Sequence, residues 1–269
     1  MIVLTPLFRH SLPSVTCFST TRHGGCSEGN YASSNCNMYC GDEVSHVYEN
    51  REILCRQLGI KTHQLVIPHQ THSSNVLSVN ESILQMEDKE RAELMEGVDA
   101  IITQAEGLCL CVSTADCVPI MLFDEKNRAI AAIHAGWRGT QKCIVSHAID
   151  RMSEEFGTEG KDIHAAIGPS ISFDNFEVGD EVYEAFDKAN FPMPFIARRF
   201  PSMHGLAEDK WHIDLWQANR LQLLSRGVLA QNIDILGVCT YDKYEDYFSA
   251  RRMGIDSGRI LNGILLQHS

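Results

Sequence analysis

Two reactive side chains, Cys117 and His134, stand at the ends of apolar runs in the middle of the chain. A cysteine thiolate and a histidine imidazole can bind a zinc ion together, or they can act as a nucleophile and its general base. Asp116 directly precedes the cysteine and is a candidate for orienting it or for acid–base catalysis. The segment from Val98 to Thr140 is therefore predicted to hold half of an active site, with both chemistries open.

A third reactive group comes from the segment HQTH, which runs from His69 to His72. Its two histidines are three residues apart across a strand end, so we expect only one of them to point toward Cys117 and His134. One cysteine and two histidines form a three-ligand site, which leaves a fourth zinc position open for water or substrate. Zinc in such a site polarises an oxygen or lowers the pKa of a bound water to about 7. The residue types thus favour a catalytic metal site over a closed structural one.

Three short apolar runs are the elements that must position these groups. Residues 108–112, 118–123 and 129–133 are each bounded by Gly, Pro, Asp or Asn, which is the pattern of buried strands. If the second and third runs are neighbouring strands, either parallel or joined by a hairpin with matching ends, Cys117 and His134 lie at the same edge of one sheet. The strands then act as rigid supports for the two side chains.

The rest of the chain alternates between helical and strand patterns. Helices are predicted over residues 45–58, 140–156, 180–188 and 215–226, and further strands over 15–19, 65–68, 74–79, 163–167, 233–238 and 260–266. Residues 81–97 form an exposed helix or insertion, and residues 190–210, with three prolines, form a loop. Interleaved elements with short connections indicate a mixed α/β (α+β) fold, with a large sheet core covered by helices, in a single domain of residues 1–269. A glycine-rich dinucleotide fingerprint is absent from the sequence.

Composition excludes several classes of function. The formal net charge of −12 argues against a nucleic-acid surface, because phosphate backbones are bound by clustered Lys and Arg. No apolar run approaches the length of a membrane span, and the N-terminus lacks the pattern of a secretory signal. The ten cysteines include no CxxC pair, so neither a zinc ribbon nor a thioredoxin motif is present. We expect a cytoplasmic protein, a monomer without membrane or nucleic-acid partners, whose cysteines are mostly reduced core residues.

Taken together and in order, the motifs resemble those of the YfiH/YlmD family of laccase-like proteins, also called peptidoglycan editing factors. The matching segments cover almost the whole chain: NR at Asn50-Arg51, HQTH, STADCVPI from Ser113, IHAGWRGT from Ile133, AAIGPSIS from Ala165, FEVG from Phe176, and the loop from Phe248 to Arg259. This resemblance implies a layered α/β/β/α-type sandwich related to the cysteine deamidase domain of a bacterial toxin. It also implies a purine nucleoside enzyme, which phosphorolyses adenosine, inosine, guanosine and methylthioadenosine and deaminates adenosine.

Carried over residue by residue, the family's zinc ligands fall on His72, Cys117 and His134, with one catalytic Zn²⁺ as the implied cofactor. The family's phosphate-contacting arginine falls on Arg51, and a guanidinium fork suits an oxyanion. Purine nucleosides and phosphate are then the expected small-molecule partners. Asn35 and Arg138 are further candidates for substrate binding, although this chain reads SSNCNMYCG around Asn35 where the family often reads SLNLG.

Weaker candidates surround this site. Trp137 could stack on a base or pack against the sheet, and Arg251, Arg252 and Arg259 could contact an anion or form loop salt bridges. Asp116 could equally be a strand-end cap.

Three alternative functions remain open from the residues alone. The first is a copper-dependent polyphenol oxidase, but the twelve histidines include no His-x-His pair for a multicopper cluster, although copper can occupy the zinc ligands adventitiously. The second is a cysteine hydrolase acting on cell-wall peptides, with Cys117 as nucleophile and His134 as base. The third is a zinc-binding module without catalytic activity.

Overall fold

The computed structural model describes residues 1–10, 12–203, 205 and 208–267. Its strands are β1 (Leu4–Pro6), β2 (Val15–Thr20), β3 (Leu65–Val66), β4 (Val76–Ser78), β5 (Ala100–Thr103), β6 (Cys109–Thr114), β7 (Val118–Asp124), β8 (Ala129–Ala135), β9 (Ile163–Ile167), β10 (Glu177–Val178), β11 (Ala197–Pro201), β12 (Asp209–Ile213), β13 (Ile233–Ile235) and β14 (Ile260–Leu266). Its α-helices are α1 (Val44–Leu58), α2 (Asp88–Leu94), α3 (Trp137–Gln141), α4 (Ile144–Phe156), α5 (Asp180–Lys188), α6 (Met193–Ile196), α7 (Leu215–Ser225) and α8 (Ala250–Met253). No helix of the described residues is long and apolar enough to span a membrane.

Two mixed sheets form the centre of the molecule. A six-stranded sheet has the order β13-β9-β7-β8-β5-β4, and a five-stranded sheet has the order β1-β2-β14-β6-β3. β7 and β8 are antiparallel neighbours, with Val118 opposite Ala135 and Pro119 opposite His134. The expected pairing of these two strands at matching ends is therefore confirmed.

Strand alternation explains why the two sheets stack. Met121 and Phe123 of β7 face a core shared with Leu110 and Val112 of β6, whereas Ile120 on the same strand packs on the opposite side. Because side chains alternate between the two faces of a strand, one apolar run supplies two separate cores. Each central strand can therefore be buried on both faces.

Helices cover the outer faces of the two sheets. α4 and α7 pack on the six-stranded sheet, through residues that include Ile149 and Leu223. α1 packs on the outer face of the five-stranded sheet through Leu54 and Cys55, and it ends at Gly59 in the left-handed conformation, with φ of 70°. The layers run helix, sheet, sheet, helix, so the predicted mixed α/β sandwich is confirmed.

The prediction of a loop over residues 190–210 is wrong for most of its length. α6 and β11 occupy residues 193–201, and β12 begins at Asp209; β10, β12 and β11 form a separate three-stranded sheet. The prolines do not prevent this, because Pro194 lies in the first turn of α6 and Pro201 ends the edge strand β11. Positions 204, 206 and 207 lie outside the described residues.

The helix predicted over residues 140–156 is in fact two helices. α3 ends at Gln141 and α4 begins at Ile144, and Cys143 between them has the left-handed φ of 60°. The apolar periodicity continues through the break, so the pattern does not reveal it. The break matters for the site because α3 begins at Trp137, immediately after the strand that carries His134.

Candidate metal centre

The β7–β8 pair delivers two of the three predicted ligands. Cys117 directly precedes β7, and His134 is the next-to-last residue of β8. Because these strands are antiparallel, the start of one lies beside the end of the other. Both side chains consequently lie at the same edge of the six-stranded sheet.

His72 reaches the same place through a turn between β3 and β4. The carboxylate of the fully buried Asp99 accepts hydrogen bonds from the backbone N–H groups of Thr71, His72 and Ser73, at 3.1, 3.1 and 2.8 Å. His72 has a left-handed φ of 60°, a conformation that this hydrogen bonding holds in place. Asp99 also accepts from His134 Nδ1 at 2.6 Å, so one carboxylate orients two of the three ligands.

The three ligand atoms form one cluster. The described residues contain one group of three or more His, Cys, Asp or Glu side chains that could hold a metal, namely His72, Cys117 and His134, whose ligand atoms lie within 4.8 Å of one another. Cys117 Sγ lies 3.7 Å from His72 Nε2, close to the roughly 3.5 Å between a sulfur and a nitrogen ligand on tetrahedral zinc. The cluster therefore has the size of a site for one metal ion.

Gly136 leaves the space that this cluster needs. A Cβ atom at this position would lie 2.8 Å from His72 Cδ2 and 3.0 Å from Cys117 Sγ. Any larger residue would push on two of the ligands at once, so the HAGW motif requires glycine here.

The electrostatics of the cluster match a metal-binding donor set. Burial raises the pKa of the Cys117 thiol, but the neighbouring His134 and His72 outweigh burial and lower the pKa to about 6. Burial lowers the pKa of His134, but Cys117 and Asp99 outweigh it and raise the pKa to about 9. A thiolate beside an imidazolium can exchange the shared proton for a metal cation or act as a nucleophile. One thiolate and two imidazoles form a donor set that zinc accepts, with one coordination position left over.

A cavity of about 650 Å³ opens above the cluster. Its walls include the predicted residues Asp116 and Trp137, and two arginines, Arg251 of α8 and Arg259, which directly precedes β14. The remaining lining residues are Asn37, Tyr39, Cys40, His69, Gln70, Ser113, Thr114, Ala115, Ile171, Phe176, Ala250 and Ile255. The three candidate ligands thus form part of a pocket of the size that binds small molecules.

Asp116 connects the two sides of this pocket. Its carboxylate accepts from the Thr240 hydroxyl and from the backbone N–H of Arg251, each at 2.7 Å. Asp116 itself has a φ of 84°, which turns the chain sharply before Cys117. Both of its oxygens accept hydrogen bonds from protein groups, so its catalytic role stays a prediction.

Three predicted substrate-binding residues are not among the lining residues. Arg138 is exposed and stacks over Trp137, with 4.2 Å from its guanidinium carbon to the ring centroid. Asn35 is fully buried, and its Oδ1 accepts from the backbone N–H of Arg259 at 3.0 Å. Arg51 donates through Nε to the Cys36 carbonyl at 2.9 Å, behind the loop that carries Tyr39.

Within the part of the chain that the structure describes, Arg51 is one of three arginines, with Arg22 and Arg91, whose pKa burial lowers. Burial lowers the pKa of its guanidinium, and no carboxylate of the described residues forms an ion pair with it. A buried cation without a counterion is unfavourable, and a bound anion would relieve it. Its role in anion binding therefore stays a prediction.

Asp99 is the important site residue that the sequence motifs did not indicate. It stands at the start of the segment VDAII, where an aspartate is usually a cap in front of a strand. Its partners lie 26 to 35 residues away in the chain, so no local pattern connects them. The sequence did contain one sign of its importance, because Asp99 is a charged residue directly before the apolar residues of β5.

The chain matches a known family along nearly its whole length. A family model described as "Multi-copper polyphenol oxidoreductase laccase" matches residues 16–267. A protein of Bacteroides thetaiotaomicron named purine nucleoside phosphorylase is 51% identical over 256 residues, covering 95% of this chain and 93% of that protein. A protein named adenosine deaminase RL5, from an unknown prokaryotic organism, is 43% identical over 267 residues, covering 98% and 99%.

Solved structures agree in fold. The crystal structure of YlmD from Geobacillus stearothermophilus superimposes with a TM-score of 0.87 at 29% identity, covering 98% of this chain and 100% of that chain. A Bacillus licheniformis protein named YfiH gives a TM-score of 0.83 at 27% identity, with 94% and 93% covered. The resemblance that the motifs indicated is confirmed by these matches.

Proposed function

Because the chain belongs to the laccase-like family whose model matches residues 16–267, we propose that it is a zinc-dependent purine nucleoside enzyme. Its reactions are the phosphorolysis of adenosine, inosine, guanosine and methylthioadenosine to free base and (methylthio)ribose-1-phosphate, and the deamination of adenosine. The names of the two similar proteins, a purine nucleoside phosphorylase and an adenosine deaminase, support this assignment.

One observation carries the proposal on the structural side. Two histidines and a cysteine converge on the wall of a cavity of about 650 Å³ that also presents two arginines, Arg251 and Arg259. The volume suits a nucleoside, since small-molecule sites span roughly 300–1,000 Å³. A reaction between a neutral nucleoside and an anion requires a pocket and cationic groups in one place. Here both lie beside an open three-ligand site.

Zinc would be held by His72 Nε2, Cys117 Sγ and His134. In such a site the ion supplies Lewis acidity to oxygen atoms of water or substrate. Asp99 keeps the Nδ1–H of His134 engaged, so that Nε2 of this ring is left for the metal.

The chain's other residues bind and orient the reactants. Trp137 and Phe176 offer aromatic surface for a purine ring, and the guanidinium of Arg251 lies over Phe176 at 5.5 Å from the ring centroid. Phosphate binds near Arg51, whose charge has no carboxylate counterion in the described residues. Phosphorolysis forms a bond between a phosphate oxygen and the anomeric carbon and breaks the glycosidic bond, whose electron pair leaves with the purine nitrogen.

Cysteine hydrolase chemistry is the second candidate, and one observation favours it. The pKa of Cys117 is lowered to about 6, as in a nucleophilic cysteine next to histidine. However, His72 Nε2 also approaches the sulfur, at 3.7 Å, and a nucleophile with one base does not need this second imidazole. A multicopper oxidase is disfavoured, because the described residues provide one three-ligand group and no second cluster.

The cell location and the oligomeric state are also part of the proposal. The cysteines are all free thiols, as expected for a protein of a reducing compartment. We propose a cytoplasmic monomer that acts on small molecules.

Metal analysis combined with a nucleoside assay tests the proposal. Purified protein should contain about one zinc per chain and convert inosine and phosphate to hypoxanthine and ribose-1-phosphate. His72→Ala should lose zinc and lose activity by at least about a hundredfold, because a three-ligand site then has two ligands. His147→Ala, an exposed histidine on α4, is the matched control and should keep both.

Two results would contradict the proposal. A wild-type protein without phosphorolysis and deamination would overturn the assigned reactions. A His72→Ala protein that retains full zinc and activity would overturn the ligand assignment. Ready alkylation of Cys117 with full activity after chelation would favour the hydrolase.

A further inference from the structure

Ser113 lines the cavity and carries a buried hydroxyl without a hydrogen-bond partner among the described residues. The residue is 5% exposed and lines the pocket, yet its Oγ has no hydrogen-bond partner in the described part of the chain. Buried polar groups are almost always hydrogen-bonded, and leaving one unpaired is unfavourable. An unpaired hydroxyl on a cavity wall indicates that a ligand supplies the partner.

The backbone of Ser113 is fixed while its hydroxyl stays unpaired. Its N–H donates to Gln70 Oε1 at 2.7 Å, and its carbonyl accepts from Gln70 Nε2 at 2.9 Å. The glutamine comes from the HQTH segment, two residues before the metal ligand His72. The hydroxyl is therefore held on a rigid strand at a fixed distance from the metal ligands.

Two arginines lie on or directly before elements that neighbour this part of β6. Arg259 lies one residue before β14, whose first residue Ile260 pairs with Thr114, the neighbour of Ser113. Its guanidinium donates to the carbonyls of Ile255, Ser257 and Gly258 and is thereby immobilised. Arg51 lies on α1, which packs through Leu54 and Cys55 on the sheet face that carries Cys111 and, two residues further along β6, Ser113.

Two arginines, Arg251 and Arg259, outnumber the carboxylates among the described residues that line the cavity. Asp116 is the carboxylate among the lining residues, and both of its oxygens accept protein hydrogen bonds. Glu96, near the cavity mouth, is bound to His69 Nδ1 at 2.7 Å. The surroundings of Ser113 thus favour a ligand oxygen that carries negative charge over a neutral one.

We infer that the Ser113 hydroxyl donates a hydrogen bond to an oxygen of inorganic phosphate, the co-substrate of phosphorolysis. This inference rests on the proposed function for the reaction in which the phosphate is used. Ser113 binds and orients the anion and is unchanged in the reaction. The phosphate oxygen that attacks the anomeric carbon is a different one from the oxygen that Ser113 holds.

Steady-state kinetics of Ser113→Ala test the inference. We expect the KM for phosphate to rise about tenfold or more, since a hydrogen bond to a charged group is lost. The KM for inosine should stay within about twofold of the wild-type value. Deamination of adenosine consumes no phosphate, so it should be unchanged in this variant. Ser19→Ala, a buried serine of β2 in the same sheet, is the matched control and should leave all of these values unchanged.

The outcomes separate this inference from the proposed function. If wild-type protein phosphorolyses inosine and Ser113→Ala keeps its phosphate KM, the inference is wrong and the proposed function stands. A rise in the inosine KM alone would assign Ser113 to the nucleoside and also overturn the inference. If wild-type protein shows no phosphorolysis, calorimetric titration with inorganic phosphate decides: tenfold weaker binding to Ser113→Ala than to wild type sustains the anion site, and equal binding or none refutes it.

Discussion

At the scale of single residues, an aspartate outside the three candidate ligands holds the most hydrogen bonds to them and to the turn that carries His72. Asp99 accepts hydrogen bonds from His134 Nδ1 and from three backbone N–H groups of the turn that carries His72. Partners of this kind fix the orientation of histidine ligands, and their loss typically costs about 10–100-fold in metal affinity. One buried carboxylate therefore orients two candidate ligands that come from different parts of the chain.

Asp99→Asn should therefore weaken zinc binding by at least about tenfold. The amide nitrogen cannot accept the hydrogen bonds that one carboxylate oxygen accepts, so either the His72 turn or His134 loses its partner. Competition with a chromogenic zinc chelator measures the affinity directly. Asp150→Asn, which breaks a partly exposed ion pair with Arg226, is the control and should bind zinc as the wild type does. Unchanged affinity in Asp99→Asn would show that the ligands orient themselves.

Gly136→Ala tests the space beside the ligands. The added Cβ would lie 2.8 Å from His72 Cδ2, and His72 is the exposed and most displaceable ligand. We expect zinc occupancy and activity to fall by about tenfold or more, while circular dichroism stays that of the wild type, because Gly136 has an ordinary backbone conformation, with φ of −65°. Gly205→Ala, which meets no atom within 4 Å but has a left-handed φ, would by contrast affect stability and leave zinc in place. Full occupancy in Gly136→Ala would contradict the steric argument.

At the scale of elements, the sequence predicted the strands that carry the site better than the hydrogen bonds that hold its side chains in place. The strand after Cys117 and the strand that carries His134 follow from short apolar runs with polar ends, and their neighbouring position follows from the short connection between them. The roles of Asn35 and Asp116 do not follow from any local pattern, because their partners Arg259 and Arg251 lie 224 and 135 residues further along the chain. Long-range hydrogen bonds are decided by the whole fold, which a single sequence does not display.

The prolines of residues 190–210 show a second reason why part of the fold could not be predicted from the sequence. Pro194 and Pro201 occupy a first helical turn and the end of an edge strand, which are the positions where proline costs little. The number of prolines therefore wrongly predicts a loop here, whereas their positions explain why a helix and a strand can form. The left-handed Cys143 between α3 and α4 is hidden for a similar reason, since the apolar period is uninterrupted there.

Helix α8 provides a prediction at this scale. The N–H of Arg251, in its first turn, donates to Asp116, and this bond ties α8 to the turn before Cys117. Asp116→Ala should release this end of the cavity wall, so the KM for nucleoside should rise by roughly tenfold while zinc content stays near one per chain. Steady-state kinetics and metal analysis on the same preparation give both values. Loss of zinc with an unchanged KM would instead make Asp116 a support of the metal ligand.

At the scale of the whole molecule, the three candidate ligands lie where the chain passes from one sheet to the other. His72 is in the connection from β3 of the five-stranded sheet to β4 of the six-stranded sheet. Cys117 is in the connection from β6 to β7, which makes the same passage, and His134 ends β8 of the six-stranded sheet. An ion bound by all three would therefore join two crossings between the sheets to the edge of the second sheet.

Removal of zinc should consequently lower the stability of the whole fold. A ligand that binds only the folded state stabilises it by about 4 kcal/mol at a thousandfold excess over its Kd. For a chain of this size each kcal/mol corresponds to roughly 2–4 °C in Tm. Treatment with a chelator should therefore lower Tm by about 10 °C, and added zinc should restore it. The same treatment should leave the Tm of His72→Ala almost unchanged, because that variant has already lost the link between the sheets. An equal drop in both proteins would mean that the chelator acts elsewhere, and no drop in the wild type would mean that the two sheets are held together without the ion.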